Sequence, residues 1–163
     1  MNGAAVPIDP VELRRVFGAF PSGVIAIAAM VDGEPVGMAA SSFTSVSLDP
    51  PLVMICVGNS STTWPKFCDA PCFGVSVFAA DQAEACRQLA AKNEDRFANV
   101  AWRATDDGAV MLVGATAWLH CSTHEIFAGG DHDIVVMRVH DLDADHAIHP
   151  LVFHASKFHR LEA

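Results

Sequence analysis

Short apolar runs separated by turn residues constrain the fold of this 163-residue chain more than any other feature. Residues 24–31 are apolar throughout, the hairpin signal Asp32-Gly33 follows them, and residues 36–41 form the predicted returning strand. Further strands are predicted over 52–57, 72–78, 115–127, 134–140 and 151–154. Because many of these strands lie in hairpins and few helices separate them, the pattern predicts a mainly β fold, an antiparallel barrel with a few peripheral helices.

Helix signals are few. Asp9 followed by Pro10 is a capping carboxylate with proline in the first turn, and Asp81 is predicted to cap a second helix. The predicted segments are a helix over about 10–20, a short capped helix at Trp64-Pro65, a helix over about 82–91 and an irregular stretch over 92–110. We expect a flexible N-terminal arm over 1–9 and a single domain over 10–163.

Composition excludes several kinds of partner and location. The net charge is −9 and the ten basic residues are scattered, so no nucleic acid is expected as a partner. No apolar run reaches the ~18 residues of a membrane span, and no secretory signal is visible, so we expect a cytoplasmic protein without a membrane partner. The five cysteines form no Cys-x-x-Cys, and we interpret them as small buried hydrophobes rather than as disulfide or zinc residues.

A hydroxyl-rich segment lies between two predicted strands. Residues 41–47 carry five hydroxyl side chains, and Asp49-Pro50-Pro51 closes the segment. Small donors on a rigid scaffold suit a planar heteroaromatic ligand, and Ser41, Ser42 and Ser47 are placed to donate to an edge that gains negative charge. The alternative is a serine-rich bend whose hydroxyls bond their own backbone.

Two other segments have residues that suit a nucleotide. Residues 60–63, Ser-Ser-Thr-Thr, place hydroxyls and N–H groups at a predicted helix start, which suits phosphate; capping by Thr62 or Thr63 is the alternative. In residues 129–133, Gly-Gly-Asp-His-Asp, the glycine pair allows a second planar ligand to approach the backbone, and His132 is placed to bond a carboxamide or a diphosphate. A hairpin turn with solvated side chains is the alternative.

The remaining motifs predict neither a metal nor a hydrolase. His120 and His124 would converge on a metal only on a helix, whereas on the predicted strand they lie about 13 Å apart. The Gly-x-Gly-x-x-Gly fingerprint, the phosphate loop ending in Gly-Lys-Ser/Thr and the Gly-x-Ser-x-Gly turn are absent from the sequence. Any nucleotide must therefore be held without a glycine-rich helix start.

Taken together, these segments resemble the short-chain flavin reductase family, the reductase components of two-component flavin-dependent monooxygenases. The resemblance covers about residues 10–161 and is most specific over 37–51. It rests on Phe20-Pro21-Ser22-Gly23-Val24, residues 37–51, Asp95-Arg96-Phe97, Gly130-Asp131-His132, and residues 150–154, Pro-Leu-Val-Phe-His. It implies the FMN-binding split barrel, an antiparallel Greek-key split β-barrel.

The resemblance also implies an activity. The expected enzyme is an NAD(P)H:flavin oxidoreductase that reduces FMN or FAD with NADH or NADPH and supplies free reduced flavin to a separate oxygenase component. A homodimer with each flavin near the subunit interface is expected, and no protein acid or base is essential. The alternatives are a split-barrel flavoenzyme that retains its flavin and acts on another substrate, and a flavin- or haem-binding protein without turnover.

The resemblance assigns site residues motif by motif. Expected flavin contacts are Met38, Ala39, Ala40, Ser41 and Ser42 at the ring and ribityl chain, Ser47 and Asp49 at the ring border, Ser60, Ser61 and Thr62 at the phosphate, and Phe153 over a ring face. Expected pyridine-nucleotide contacts are Gly130, Asp131 and His132, with His132 positioning the nicotinamide.

Two features depart from the family pattern. Phe153 and Phe158 stand where the family often has Tyr, and the chain contains no Tyr. Stacking is kept there, but a phenol hydrogen bond is lost. Ala155-Ser156 stand where the family often has Arg-Gly, so any phosphate contact made by that Arg is missing. The sequence does not distinguish FMN from FAD as the flavin, or NADH from NADPH as the nucleotide.

Overall fold

The computed structural model describes residues 6–92 and 95–162, which form a mainly β fold with two short α-helices. The helices are α1 (Pro10–Phe17), the 3-10 helix η1 (Trp64–Lys66) and α2 (Ala83–Ala90). The strands are β1 (Ser22–Gly23), β2 (Ile25–Val31), β3 (Glu34–Ala40), β4 (Thr44–Leu48), β5 (Pro51–Gly58), β6 (Phe73–Val77), β7 (Trp102–Ala104), β8 (Val110–Leu112), β9 (Ala117–Gly129), β10 (His132–Ala144), β11 (Leu151–His154) and β12 (Lys157–Arg160).

Seven strands form one sheet in the order β3-β2-β6-β9-β10-β5-β4, and each neighbouring pair is antiparallel. Asp32 and Gly33 join β2 to β3, and their φ values of 50° and 83° suit a two-residue hairpin turn. Two smaller sheets contain β1-β11-β12 and β7-β8. The predictions of this hairpin and of a mainly antiparallel fold are confirmed.

The strand β2 is buried on both faces, which explains its unbroken apolar sequence. Ile25 and Ile27 belong to one buried cluster, whereas Ala26 and Ala28 belong to a second cluster that includes Leu89 of α2. Since β3 pairs along the whole of β2, the surface over β3 has a packed core beneath it.

The seven-stranded sheet curls back on itself, because β3 at one edge contacts β5, the strand next to the other edge. Ser42, just after β3, fixes this contact. Its hydroxyl donates to the carbonyl oxygen of Cys56 at 3.0 Å and accepts from the Cys56 N–H at 2.9 Å. One side chain thus makes the pair of bonds that a neighbouring strand would make. The sheet curls into a barrel that is joined here by a hydroxyl group.

The predicted helices form, with shorter bounds. Asp9 caps α1 as predicted, but α1 ends at Phe17 rather than at residue 20, and none of its residues is buried. The prediction that Asp81 caps the second helix is wrong, because Gln82 is the N-cap residue. The Gln82 side chain bonds the backbone of two neighbouring segments instead of the helix.

Other strand predictions need correction. The stretch 92–110, expected to be irregular, contains β7 and the start of β8, and all three residues of β8 are buried. The hairpin β9–β10 is longer than predicted, because β10 continues to Ala144. All five cysteines are free thiols; Cys86 and Cys121 are buried as predicted, and the other three are partly exposed. Within the described part of the chain, no helix is long and apolar enough to cross a membrane.

Candidate functional site

A groove over β3 gathers residues from three segments of the chain. One of its cavities, of about 450 Å³, is lined by residues of β3, by the 60–63 segment, and by the end of α2 with the residues that follow it. This volume lies within the range of small-molecule sites. The cavity contains these predicted site residues: Met38, Ala39, Ser60, Ser61 and Thr62.

Two cations that were not predicted complete this cavity, the exposed Lys92 and the half-buried Arg96. Arg96 Nη1 donates to the carbonyl oxygens of Leu89 at 3.0 Å and Gly37 at 3.3 Å, which ties α2 to β3. Burial lowers the pKa of Arg96, but a guanidinium stays charged at neutral pH. Hydroxyls and two positive charges together suit an anionic group such as a phosphate. The Asp95-Arg96-Phe97 motif was the one sequence signal for this feature.

A smaller, apolar cavity of about 160 Å³ adjoins the first, and both are lined by Ala39 and Ala90. It contains three more of the predicted residues, Ala40, Ser41 and Phe153. Phe158 lines it too, with its ring centre 5.5 Å from that of Phe153. An apolar, aromatic cavity beside a polar one fits a ligand with a flat ring at one end and an anionic group at the other.

Ser42, Ser47 and Asp49 do not line either cavity. The hydroxyl of Ser42 is committed to Cys56, as described above, so it holds the barrel together rather than facing the groove. Ser47 lies in the edge strand β4, and Asp49 is exposed just beyond it. One chain therefore does not gather the predicted ring-border residues around the groove.

The start of η1 is capped by an unexpected residue. Ser61 Oγ accepts from the Trp64 N–H at 3.1 Å, whereas Thr63 occupies the N-cap position without a side-chain bond to the helix. The alternative interpretation of this segment, side-chain capping by Thr62 or Thr63, is therefore wrong, although Thr63 does occupy the N-cap position. Ser60 and Thr62 are exposed, and Ser61 keeps its hydroxyl proton for donation.

The turn between β9 and β10 lies against the end of β5. His132 pairs with Gly58 across the strands, and the Asn59 N–H donates to the Asp131 carbonyl oxygen at 2.9 Å. A Cβ added to Gly58 would lie 3.7 Å from His132 Nε2 and 3.8 Å from Ser60 Oγ. The residues predicted for the pyridine nucleotide therefore neighbour the hydroxyl segment predicted for the phosphate.

The turn also contains a local Asp–His pair. His132 Nδ1 lies 2.7 Å from Asp131 Oδ1, and this hydrogen bond, with the charge attraction, lowers the pKa of Asp131. Gly130 has a φ of 72°, and an added Cβ there would meet nothing within 4 Å. Nδ1 of His132 is thus engaged, while Nε2 faces the hydroxyl segment beside open surface.

A family model described as "Flavin reductase like domain" matches residues 17–162. The chain is 42% identical over 148 residues to a flavin reductase of Pseudomonas putida, which covers 90% of this chain and 87% of that one. It is 35% identical over 159 residues to the reductase subunit of a flavin-dependent monooxygenase from Rhodococcus jostii, covering 98% and 82% of the two chains.

The fold is also similar to a solved structure, the NADH:FAD oxidoreductase of Streptomyces globisporus in complex with NAD and FAD fragments. The TM-score is 0.89 at 41% sequence identity, and the match covers 97% of this chain and 98% of that chain. The likeness extends through nearly the whole of both chains, and the predicted split-barrel fold is confirmed.

Proposed function

Because the chain belongs to the flavin reductase like domain family, we propose that it is an NAD(P)H-dependent flavin reductase. It reduces FMN or FAD by hydride transfer and supplies the free reduced flavin to a partner monooxygenase. The observation that carries the proposal is the groove over β3, in which segments far apart in sequence form a cationic, hydroxyl-lined cavity beside an apolar one.

The groove fits a flavin from end to end. Lys92, Arg96 and the 60–63 hydroxyls would hold the phosphate, and Ser41 with the β3 backbone would bond the polar atoms of the ring and ribityl chain. Phe153 would cover a ring face by stacking. Ser42 acts by holding its segment against β5. Ser47 and Asp49 border the ring once a second copy of the chain is present.

The turn at Gly130, Asp131 and His132 is the proposed nicotinamide-nucleotide site. Gly130 leaves open space, and Asp131 orients the imidazole through Nδ1. Since Nδ1–H donates to the Asp131 carboxylate, Nε2 of the neutral imidazole is an acceptor and can take a hydrogen bond from the carboxamide NH₂ of a nicotinamide close to Ser60. The turn thus lies beside the phosphate end of the groove, and the nicotinamide would extend from there toward the flavin ring.

The flavin supplies the hydride acceptor, and the chain contributes position. No residue is needed as a proton donor or acceptor for the hydride step itself. Rigid placement of two reacting groups can contribute roughly 7–11 kcal/mol to lowering a barrier. The packed sheet beneath β3 and the bonds of Arg96 to Gly37 and Leu89 provide that rigidity.

We also propose a homodimer and a separate oxygenase partner. The partner follows from the relative in Rhodococcus jostii, which is named as a reductase subunit of a monooxygenase. The dimer is supported by apolar side chains on the surface of the single chain. Leu48, next to Ser47 and Asp49, is 95% exposed, and Phe17 and Phe20 are exposed too. A second chain that covers Leu48 would complete the ring border.

The proposal is tested by following NADH and NADPH oxidation with FMN, with FAD and without added flavin. Oxidation that requires added flavin and saturates with it is expected, and it would also rank both nucleotides and both flavins. Turnover by a flavin that stays bound through dialysis would favour the retained-flavin enzyme instead. Flavin or haem binding without oxidation in any combination would overturn the reductase and leave a carrier.

A further inference from the structure

A second polar cluster lies outside the groove and contains none of the residues proposed above for flavin reduction. It consists of Cys72, Asp107 and His120, whose ligand atoms all lie within 4.8 Å of one another. His120 Nε2 is 3.0 Å from the Asp107 carboxylate. His124, the other histidine of β9, is not in the cluster. The two groups that accompany His120 therefore come from other segments of the chain.

Strand register explains why two of the three side chains meet. In the β6–β9 ladder, Gly74 lies opposite His120. Cys72 is two residues before Gly74, so it lies on the same face as His120 and diagonal to it. A Cβ on Gly74 would overlap the Val110 carbonyl oxygen. The missing side chain therefore lets β8 lie directly against β6, and the turn before β8 carries Asp107 to the cluster.

That turn is rigid. Thr105 Oγ1 donates to Asp107 Oδ1 at 2.5 Å and accepts from the Ala109 N–H at 2.9 Å. The carbonyl oxygen of Gly108 accepts from the Met30 N–H of β2 at 2.8 Å. The carboxylate is therefore oriented by a neighbouring hydroxyl on a turn anchored to the core, which is how metal-binding carboxylates are usually held.

The donor set is that of a zinc site. A thiolate sulfur, an imidazole nitrogen and a carboxylate oxygen are the three ligand types that Zn²⁺ takes in proteins. The Asp107 carboxylate accepts from Thr105 Oγ1 and lies against His120 Nε2, so it is already oriented within the cluster. The Cys72 sulfur lies within 4.8 Å of the ligand atoms of both Asp107 and His120.

The cluster is open on one side. The side chain of His120 is 15% exposed and that of Asp107 is 47% exposed. Both line a cavity of about 370 Å³ together with Arg103, Trp118 and Asp141. Three protein ligands with a fourth position facing a water-accessible cavity are the arrangement of an open zinc site rather than of a closed structural one.

We propose that Cys72, Asp107 and His120 bind one Zn²⁺, with the fourth coordination position open to this cavity. Binding forms a sulfur–zinc bond and releases the thiol proton of Cys72 to solvent. The proton that His120 Nε2 shares with Asp107 moves through solvent to Nδ1, so the imidazole stays neutral. The Asp107 oxygen and His120 Nε2 then each donate a lone pair to the metal, in place of the hydrogen bond between them. No electron is transferred, and no co-reactant is required.

Cobalt substitution tests the site in the full chain. After chelator treatment, the protein is titrated with Co²⁺ and, by equilibrium dialysis, with Zn²⁺. One equivalent of each is expected to bind, with tetrahedral d–d bands and a thiolate-to-cobalt charge-transfer band in the near ultraviolet. This spectrum of the unmutated chain is decisive even if a variant fails to fold. An octahedral spectrum without the thiolate band, or no saturable binding, would overturn the proposal.

Variants identify the ligands. Cys72→Ser should abolish the thiolate band, and His120→Gln should weaken Zn²⁺ binding by more than the ~10–100-fold that loss of an outer partner produces. Thr105→Val should fall within that ~10–100-fold range, because Thr105 orients Asp107 without binding the metal. Cys68→Ser is the matched control, a free and partly exposed cysteine outside the cluster. A thiolate band that survives Cys72→Ser would remove the site.

Discussion

Two Asp–His pairs differ in what holds them together. Asp131 and His132 are neighbours in a turn, 2.7 Å apart, with side chains 94% and 47% exposed. Asp107 and His120 come from separate segments, 3.0 Å apart, with the imidazole only 15% exposed. The shorter contact is the weaker constraint, because adjacent residues stay close whatever the rest of the chain does. The longer contact exists only while β6, β8 and β9 are packed together.

This difference suits different ligands. An exposed imidazole on a turn can meet a ligand that arrives and leaves in every cycle, as a pyridine nucleotide does. A largely buried imidazole next to a thiol and a carboxylate suits an ion that stays. The groove side also offers cations and hydroxyls to an anion, whereas the cluster offers anionic and neutral donors to a cation.

The largest expected effect comes from disrupting the packing that brings Asp107 and His120 together. Gly74→Ala would place a methyl group on the Val110 carbonyl oxygen, which a side-chain rotation cannot relieve. We expect a loss of about 3 kcal/mol in the free energy of unfolding, the upper part of the range for overpacking, measured by urea denaturation. Gly23→Ala is the control, because an added Cβ there meets nothing within 4 Å. Equal stability of the two variants would contradict this account of the cluster.

The next prediction tests whether the hydrogen bonds of Ser42 stabilise the fold beside the groove. Ser42→Ala leaves the partly buried N–H and C=O of Cys56 without their partner, so a loss of about 1–3 kcal/mol in unfolding free energy is expected. Ser41→Ala should leave thermal stability unchanged and weaken flavin binding, because the exposed Ser41 lines the apolar cavity. If both variants melt at the same temperature, Ser42 does not hold the barrel.

A smaller effect tests the charge of the groove. Lys92→Ala should raise the KM for FMN roughly tenfold, equivalent to about 1.4 kcal/mol, and leave the KM for riboflavin unchanged because riboflavin carries no phosphate. Lys66→Ala, at a neighbouring cavity lined also by Arg96, is the matched control. An equal rise for FMN and riboflavin would show that Lys92 does not face the phosphate.

The smallest effect concerns the local pair. The folded pKa of Asp131 is lowered, first by its hydrogen bond to His132, so the pair favours folding above the ordinary value of 3.8 and loses that effect as pH falls through the lowered pKa. In His132→Ala the pKa should rise to its ordinary value, as read from the carboxyl carbon shift by NMR. An unchanged titration would mean that another group acts on Asp131. The unfolding midpoint should not change, since both side chains are exposed.

The sequence predicted features that depend on adjacent residues, and it missed features that depend on packing between distant segments. The β2–β3 hairpin and the cap by Asp9 depend on adjacent residues, so local patterns revealed them. The hydroxyl segments were found for the same reason. The sequence did not predict that Arg96 lines the groove, because its contacts with Gly37 and Leu89 depend on how α2 packs on β3.

The cluster shows most clearly what could not be predicted from the sequence. Cys72, Asp107 and His120 have no spacing typical of a metal motif, and residues 92–110 were expected to be irregular. Only the close approach of β8 to Gly74 brings Asp107 to the cluster. Likewise, Ser42 was expected to face a ligand, because a sequence cannot show that its hydroxyl would replace part of a strand ladder.

That hydroxyl also determines what it takes to open the barrel at this point. Between the edge strand β3 and β5, the bonds of Ser42 to Cys56 do the work of a ladder. Separating the barrel at this point therefore requires breaking two hydrogen bonds of one side chain, whereas separating paired strands elsewhere breaks a whole row.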